Sequence, residues 1–174
     1  MSYRRLLLAG DSLIEFYDWQ VRFADRVVWN YGRAGETVEG LLSRVPAIIN
    51  QVRPDFILLM SGTNNIGMDD YAFIPNYRKV IECFSAAFPD ADIFINSLMP
   101  IRLPWLSKSA VPRVNGLLAK LASEKGVGFL NIYEYFLNQN GSSHQDCFLG
   151  DGVHLSEFGY ARWAEVLEGR IGTL

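Results

Sequence analysis

Arg5-Leu6-Leu7-Leu8-Ala9-Gly10-Asp11-Ser12-Leu13 is the stretch on which the reading of this 174-residue chain turns. Leu6 to Ala9 is apolar at every position rather than at alternate ones, the pattern of a strand covered on both faces, as in a parallel sheet. Gly10-Asp11-Ser12 then ends the run with turn and helix-entry residues. Outward from it, four more short apolar runs are bounded by Gly, Asp, Asn or Pro. The candidate strands are therefore Arg5–Ala9, Val27–Tyr31, Phe56–Met60, Asp92–Ser97 and Gly128–Asn131.

Helical patterns fill the intervals. Tyr77, Val80, Ile81, Phe84 and Phe88 recur on one helical face, with Pro75 placed for the first turn. Val111, Val114, Leu117, Leu118 and Leu121 form a second stripe that Gly126 stops, and Thr37 to about Ile49 carries Val38, Leu41, Leu42 and Val45. A last helix runs from about Glu157 to Arg170 with Trp163, Val166 and Leu167. Pro46 and Pro112 are expected to interrupt two of these helices. Strands alternating with helices predict a three-layer α/β/α sandwich on a five-stranded, mostly parallel sheet, built as a single domain over residues 1–174. Tyr71, Phe73 and Ile74, ahead of the long helix, read equally as core or as a partner surface, which leaves homo-oligomerisation open.

Composition narrows the function classes. Apolar residues make up 49% of the chain, enough for a sizeable core, and the formal net charge of −3 offers no footprint for nucleic acid or an anionic membrane. No apolar run approaches the ~20 residues of a membrane span. The apolar stretch after Arg4-Arg5 is too short for a secretory signal. Cys83 and Cys147 lie far apart with no metal-type spacing, so reduced thiols and a cytoplasmic location are expected; export with a leader outside this sequence stays open.

In parallel α/β folds ligands bind at the carboxyl ends of the strands. There the chain carries Gly10-Asp11-Ser12-Leu13, then Gly32-Arg33-Ala34-Gly35-Glu36-Thr37, then Ser61-Gly62-Thr63-Asn64-Asn65, and before the last helix Asp151-Gly152-Val153-His154-Leu155. Each block alone reads as a turn or a helix cap. Together they supply a hydroxyl, an imidazole, a carboxylate and N–H donors, the four requirements of acyl transfer through serine. His154 follows Asp151 by three residues, a spacing that one tight turn folds onto a single face.

These blocks, in this order, resemble the SGNH hydrolases, the GDSL esterase/lipase superfamily, over residues from Leu6 to about Leu167. The Gly62-Thr63-Asn64-Asn65 block is similar to that of the platelet-activating-factor acetylhydrolase-like acetylesterases. The resemblance implies a flavodoxin-like SGNH hydrolase fold and a serine esterase of short-chain, chiefly acetyl, carboxylic esters that works without a cofactor or metal. It implies Ser12 as nucleophile, His154 as base and Asp151 as its orienting acid, with an oxyanion hole from Ser12, Gly35 and Asn64. One position departs: the family's third block usually reads Gly-x-Asn-Asp, and here Asn65 stands in place of the Asp.

Other residues carry weaker signals. Asp11 reads as a cap. Leu98 to Leu106 is too rich in proline for a helix, and its Leu103 and Trp105, with Tyr17 near the serine, are candidate substrate-pocket residues or else loop packing. His144, Asp146 and Cys147 cluster, but a metal site needs three or four convergent ligands and they read as a polar loop. A conventional α/β-hydrolase would need a second Gly where Ile14 stands. A mononucleotide-binding module lacks its Gly-rich phosphate loop. The non-enzymatic alternative is a weakly catalytic carbohydrate- or small-molecule-binding α/β module derived from an esterase. With little length to spare for a lid, an open site for a small-molecule ester substrate is expected, with short acyl groups favoured.

Overall fold

The computed structural model describes residues 2–172 of the chain. Five parallel strands form its sheet: β1 Arg5–Gly10, β2 Val27–Gly32, β3 Phe56–Met60, β4 Asp92–Asn96 and β5 Gly128–Leu130, in the spatial order β2-β1-β3-β4-β5. Seven α-helices are present among the described residues: α1 Ser12–Glu15, α2 Trp19–Arg22, α3 Val38–Gln51, α4 Thr63–Gly67, α5 Ile74–Ala87, α6 Ala110–Lys125 and α7 Glu157–Ile171. The architecture is the α/β/α sandwich that the alternation of patterns predicts.

Successive strand residues point to opposite faces, and both faces are covered. Leu7, Ala9, Ile57 and Leu59 join α3, α5 and α6 in one core. Leu6, Leu8, Phe56, Leu58 and Met60 join α1, α2 and α7 in the other. This is why β1 and β3, at the centre, are apolar without interruption. β2 differs: it lies at the sheet edge, and its residues are half-buried or exposed rather than sealed on both faces. Phe73 is fully buried, and Tyr71 and Ile74 pack on the same core, so that stretch is interior packing.

Three expectations are corrected. Pro46 does not interrupt α3, which continues to Gln51 because buried Val45 and Ile48 keep packing across the proline. Pro112 sits in the first turn of α6, where no intrahelical N–H is required, so it leaves that helix whole too. Leu117 is not part of the α6 core stripe; it is 42% exposed. The short helices α1, α2 and α4 span less than two turns and leave no periodic signal. No helix among the described residues is long and apolar enough to cross a membrane.

The exit from β1 depends on a glycine for steric reasons. A Cβ on Gly10 would lie 1.8 Å from the carbonyl oxygen of Met60, because β1 and β3 stay paired to their ends and Asp11 N still donates to that oxygen at 3.3 Å. Gly116 is the opposite case, an exposed glycine inside α6 with open space where its Cβ would go. Gly10→Ala is expected to lower the unfolding free energy by about 3 kcal/mol or more. Gly116→Ala is expected to raise it by about 0.5–1 kcal/mol. Urea unfolding of the two variants checks both signs.

Candidate active site

Parallel pairing delivers the carboxyl ends of β1, β2 and β3 to one edge of the sheet, and the residues just beyond them build the site. Ser12 is the first residue of α1, 7% exposed. Asp11 precedes it as the N-cap: its Oδ1 accepts Leu13 N at 3.1 Å, which fixes the helix entry. Complete burial pushes the Asp11 carboxyl up to about 6, against the opposing pull of the Leu13 N–H and the nearby imidazole of His154.

The second component arrives from the turn before α7. Asp151 Oδ1 accepts the N–H groups of Val153 at 2.9 Å and His154 at 3.0 Å, so the carboxylate folds its own chain around itself. That turn brings His154 Nδ1 to 2.7 Å from Asp151 Oδ2, and His154 Nε2 to 2.9 Å from Ser12 Oγ. Partial burial pushes the Asp151 carboxyl up, but the two N–H bonds and the imidazole outweigh it and hold it at about 2. A carboxylate facing Nδ1 requires the proton there, which leaves Nε2 free to accept from the serine hydroxyl. A hydroxyl, an imidazole and a carboxylate so linked form a route for proton transfer away from the hydroxyl.

The loop after β2 forms a third side. Gly35 has φ of 73°, a left-handed conformation open to glycine. Arg33 N donates to Gly10 O at 3.0 Å and Ala34 N to Glu15 Oε2 at 2.6 Å, tying this loop to the β1–α1 junction. Glu36 is buried against Arg44, whose Nε donates to it at 2.6 Å. Asn64, on α4, donates through Nδ2 to Glu36 O at 2.9 Å, and among the described residues no group accepts its second amide hydrogen. Among the described residues no protein group accepts from the N–H of Ser12 or Gly35. These contacts tie Asn64 to the Gly35 loop, and that loop to the β1–α1 junction that carries Ser12.

Asn65 is the residue whose part in the sequence could not be read. It is 1% exposed and uses its whole amide. Oδ1 accepts Val38 N at 3.0 Å; Nδ2 donates to Glu39 Oε2 at 2.9 Å and to Asp70 Oδ2 at 2.7 Å. An Asp here would keep the first contact and turn the other two into carboxylate against carboxylate. The amide of Asn65 thus suits its two carboxylate neighbours, Glu39 and Asp70, where a carboxylate would not. The only hint in the sequence was the departure itself.

The three candidate pocket residues separate. Tyr17 stacks on Tyr160 with ring centroids 4.7 Å apart, and both line a cavity of about 730 Å³ that includes His154. Leu103 and Trp105 do not line that cavity. They lie on the loop that bridges α4 and the Asp151 turn: Trp105 Nε1 donates to Gly67 O at 3.4 Å, and Arg102 N donates to Gly152 O at 2.8 Å. Trp105 is 70% exposed. Cys147 is buried in the α7-side core, His144 N donates to Phe136 O, and among the described residues no three His, Cys, Asp or Glu converge as metal ligands. Cys83 is exposed, and neither cysteine is in a disulfide.

A family model described as GDSL-like lipase/acylhydrolase matches residues 8–162, a span that contains every site residue named above. The chain belongs to the GDSL-like lipase/acylhydrolase family. It is a carboxylic ester hydrolase. Among this family member's relatives, platelet-activating factor acetylhydrolase IB subunit alpha1 of Pongo abelii is 27% identical over 164 residues, covering 90% of this chain and 70% of that protein. An acetyl xylan esterase from Geobacillus stearothermophilus shares the fold with a TM-score of 0.79 at 18% identity, over 98% of this chain and 95% of that one. A GDSL-like lipase from Bacteroides thetaiotaomicron does so with a TM-score of 0.75 at 20% identity, over 97% and 87%.

Asn65→Asp is expected to cost about 1–3 kcal/mol of stability and to lower kcat about tenfold or more by displacing the Gly35 and Asn64 segments. Adding Glu39→Gln, which restores a donor facing the new carboxylate, should recover part of both losses. Thermal melting and steady-state hydrolysis of a simple acetate ester read the two effects; a silent Asn65→Asp would remove the structural role given to the amide.

Proposed function

We propose that this esterase hydrolyses short-chain carboxylic esters, acetyl esters foremost, through an acyl-serine intermediate. The observation that carries the proposal is the continuous chain of contacts Ser12 Oγ–His154 Nε2–His154 Nδ1–Asp151 Oδ2, at 2.9 and 2.7 Å. An unassisted serine hydroxyl is a poor nucleophile at neutral pH. Here His154 takes its proton as Ser12 attacks the ester carbonyl, and ionised Asp151 holds the imidazole in the right tautomer and steadies the imidazolium that forms.

The carbonyl oxygen gains negative charge in that step. The N–H groups of Ser12 and Gly35 and the second amide hydrogen of Asn64 are its donors. They are held in place beforehand, so no reorganisation is required when the charge develops. His154 then returns the proton to the leaving alcohol. Water repeats the attack on the acyl-serine, and His154 again acts as base and then acid, which frees the acid and restores Ser12. Every proton moves between groups of this chain and the reactants.

Support for acetyl and other short acyl groups is of two kinds. The site opens at the surface, where the His154 side chain is 30% exposed, and the chain is similar in sequence to an acetylhydrolase and in fold to an acetyl xylan esterase.

Hydrolysis of p-nitrophenyl acetate, butyrate and octanoate tests the proposal. Activity is expected to fall with chain length, and Ser12→Ala should abolish it at every length. Asn64→Ala should lower kcat roughly 10²–10³-fold with a much smaller change in KM. Retained turnover in Ser12→Ala, or an unchanged kcat in Asn64→Ala, contradicts the assignment of that residue.

A further inference from the structure

The cavity beside His154 has a composition that the hydrolytic steps leave unexplained. Its volume is about 730 Å³, within the range of small-molecule sites. Phe16, Tyr17, Leu149, Leu155 and Tyr160 supply apolar and aromatic walls, and His154 supplies one more. The Phe16 ring lies 5.4 Å from the imidazole, centroid to centroid. Phe16 and Leu149 leave 56% and 49% of their surface to solvent, so the described residues do not cover this apolar area. Asp18 and Glu157 add two carboxyl groups, and no Lys or Arg lines the cavity.

Stereochemistry says which half of an ester belongs there. In the tetrahedral intermediate the imidazole gives its proton to the leaving oxygen, so that oxygen faces His154. The oxyanion faces the N–H donors instead, and none of Ser12, Gly35 and Asn64 lines this cavity, which adjoins the reacting centre through His154. A group attached to the leaving oxygen therefore runs into the space that His154 walls, over Phe16 and toward Leu149. Two carboxylates without a balancing cation repel an anionic group in that space.

We propose that this cavity binds the alcohol half of the substrate ester and selects an uncharged, apolar alcohol of aromatic or alicyclic size. The inference rests on the acyl-serine reading above and adds the leaving-group class to it. It sets phosphorylated and other anionic leaving groups apart as poor substrates.

Benzyl, cyclohexylmethyl and ethyl acetate share one acyl group and have alcohols of similar acidity, so their kcat/KM ratios report recognition of the alcohol rather than its ease of departure. Benzyl and cyclohexylmethyl acetate are expected to exceed ethyl acetate by about tenfold or more, from the apolar surface they cover. At low salt 4-carboxybenzyl acetate should fall about fivefold below benzyl acetate. Phe16→Ala and Leu149→Ala, both at half-exposed positions and so expected to fold, should each shrink the benzyl-to-ethyl ratio by about threefold; thermal melting verifies folding.

A wild-type benzyl-to-ethyl ratio near one overturns the proposal while leaving the acyl-serine reading intact. So does a result in which the two variants change the acetyl-to-hexanoyl profile of ethyl esters and leave the benzyl-to-ethyl ratio alone, since the acyl chain would then occupy the cavity. Hydrolysis of all these esters by Ser12→Ala, or of none by the wild type, overturns both readings together.

Discussion

The carboxylate of Asp151 spends one oxygen on two backbone N–H groups of its own turn and the other on the imidazole three residues later. The site depends on this division. The backbone bonds fix where the carboxylate points, and the imidazole follows it. The same bonds keep Asp151 ionised well below neutral pH, so its charge is present wherever the protein is expected to work. The turn is anchored on two sides: Leu149 N donates to His154 O at 2.8 Å, and Arg102 N donates to Gly152 O at 2.8 Å.

Opposite it, the proposed oxyanion side is assembled by small ties rather than by one element. Glu15 holds the loop at Ala34, buried Glu36 is locked to Arg44, and adjacent amides on α4 grip the same stretch at Glu36 O and Val38 N. The sheet makes this economical. Because β1, β2 and β3 are parallel neighbours, three separate loops leave it side by side, and one or two hydrogen bonds between them suffice to fix their spacing. Burial of Asp11 directly behind Ser12 adds a carboxyl within the field of His154, which couples the helix cap to the electrostatics of the site.

How far the sequence could be read follows from what each feature depends on. Strands buried on both faces announce themselves by uninterrupted apolar runs, and β1 and β3 are of that kind. β2 shows the weakness of the same rule, because an edge strand can be apolar without being sealed. Pro46 was misleading because tertiary packing outweighed a local preference. In the site, the three-residue spacing of Asp151 and His154 was visible as a single turn. The contact of Ser12 with His154 closes 142 positions, and nothing in local spacing reveals it; only the ordered blocks pointed there. The Asn65 network was invisible for the same reason: its carboxylate partners come from α3 and from the turn after α4, and an Asn-Asn pair says nothing of what its second amide faces.

The central claim is that Ser12 reacts because His154 takes its proton. A p-nitrophenyl phosphonate ester, which adds irreversibly to an activated serine, tests it with peptide mapping by mass spectrometry. The account predicts one label per chain, on Ser12, with a labelling rate that falls by orders of magnitude in His154→Ala. A label on another residue, or labelling of Ser12 at an undiminished rate without the imidazole, would contradict it.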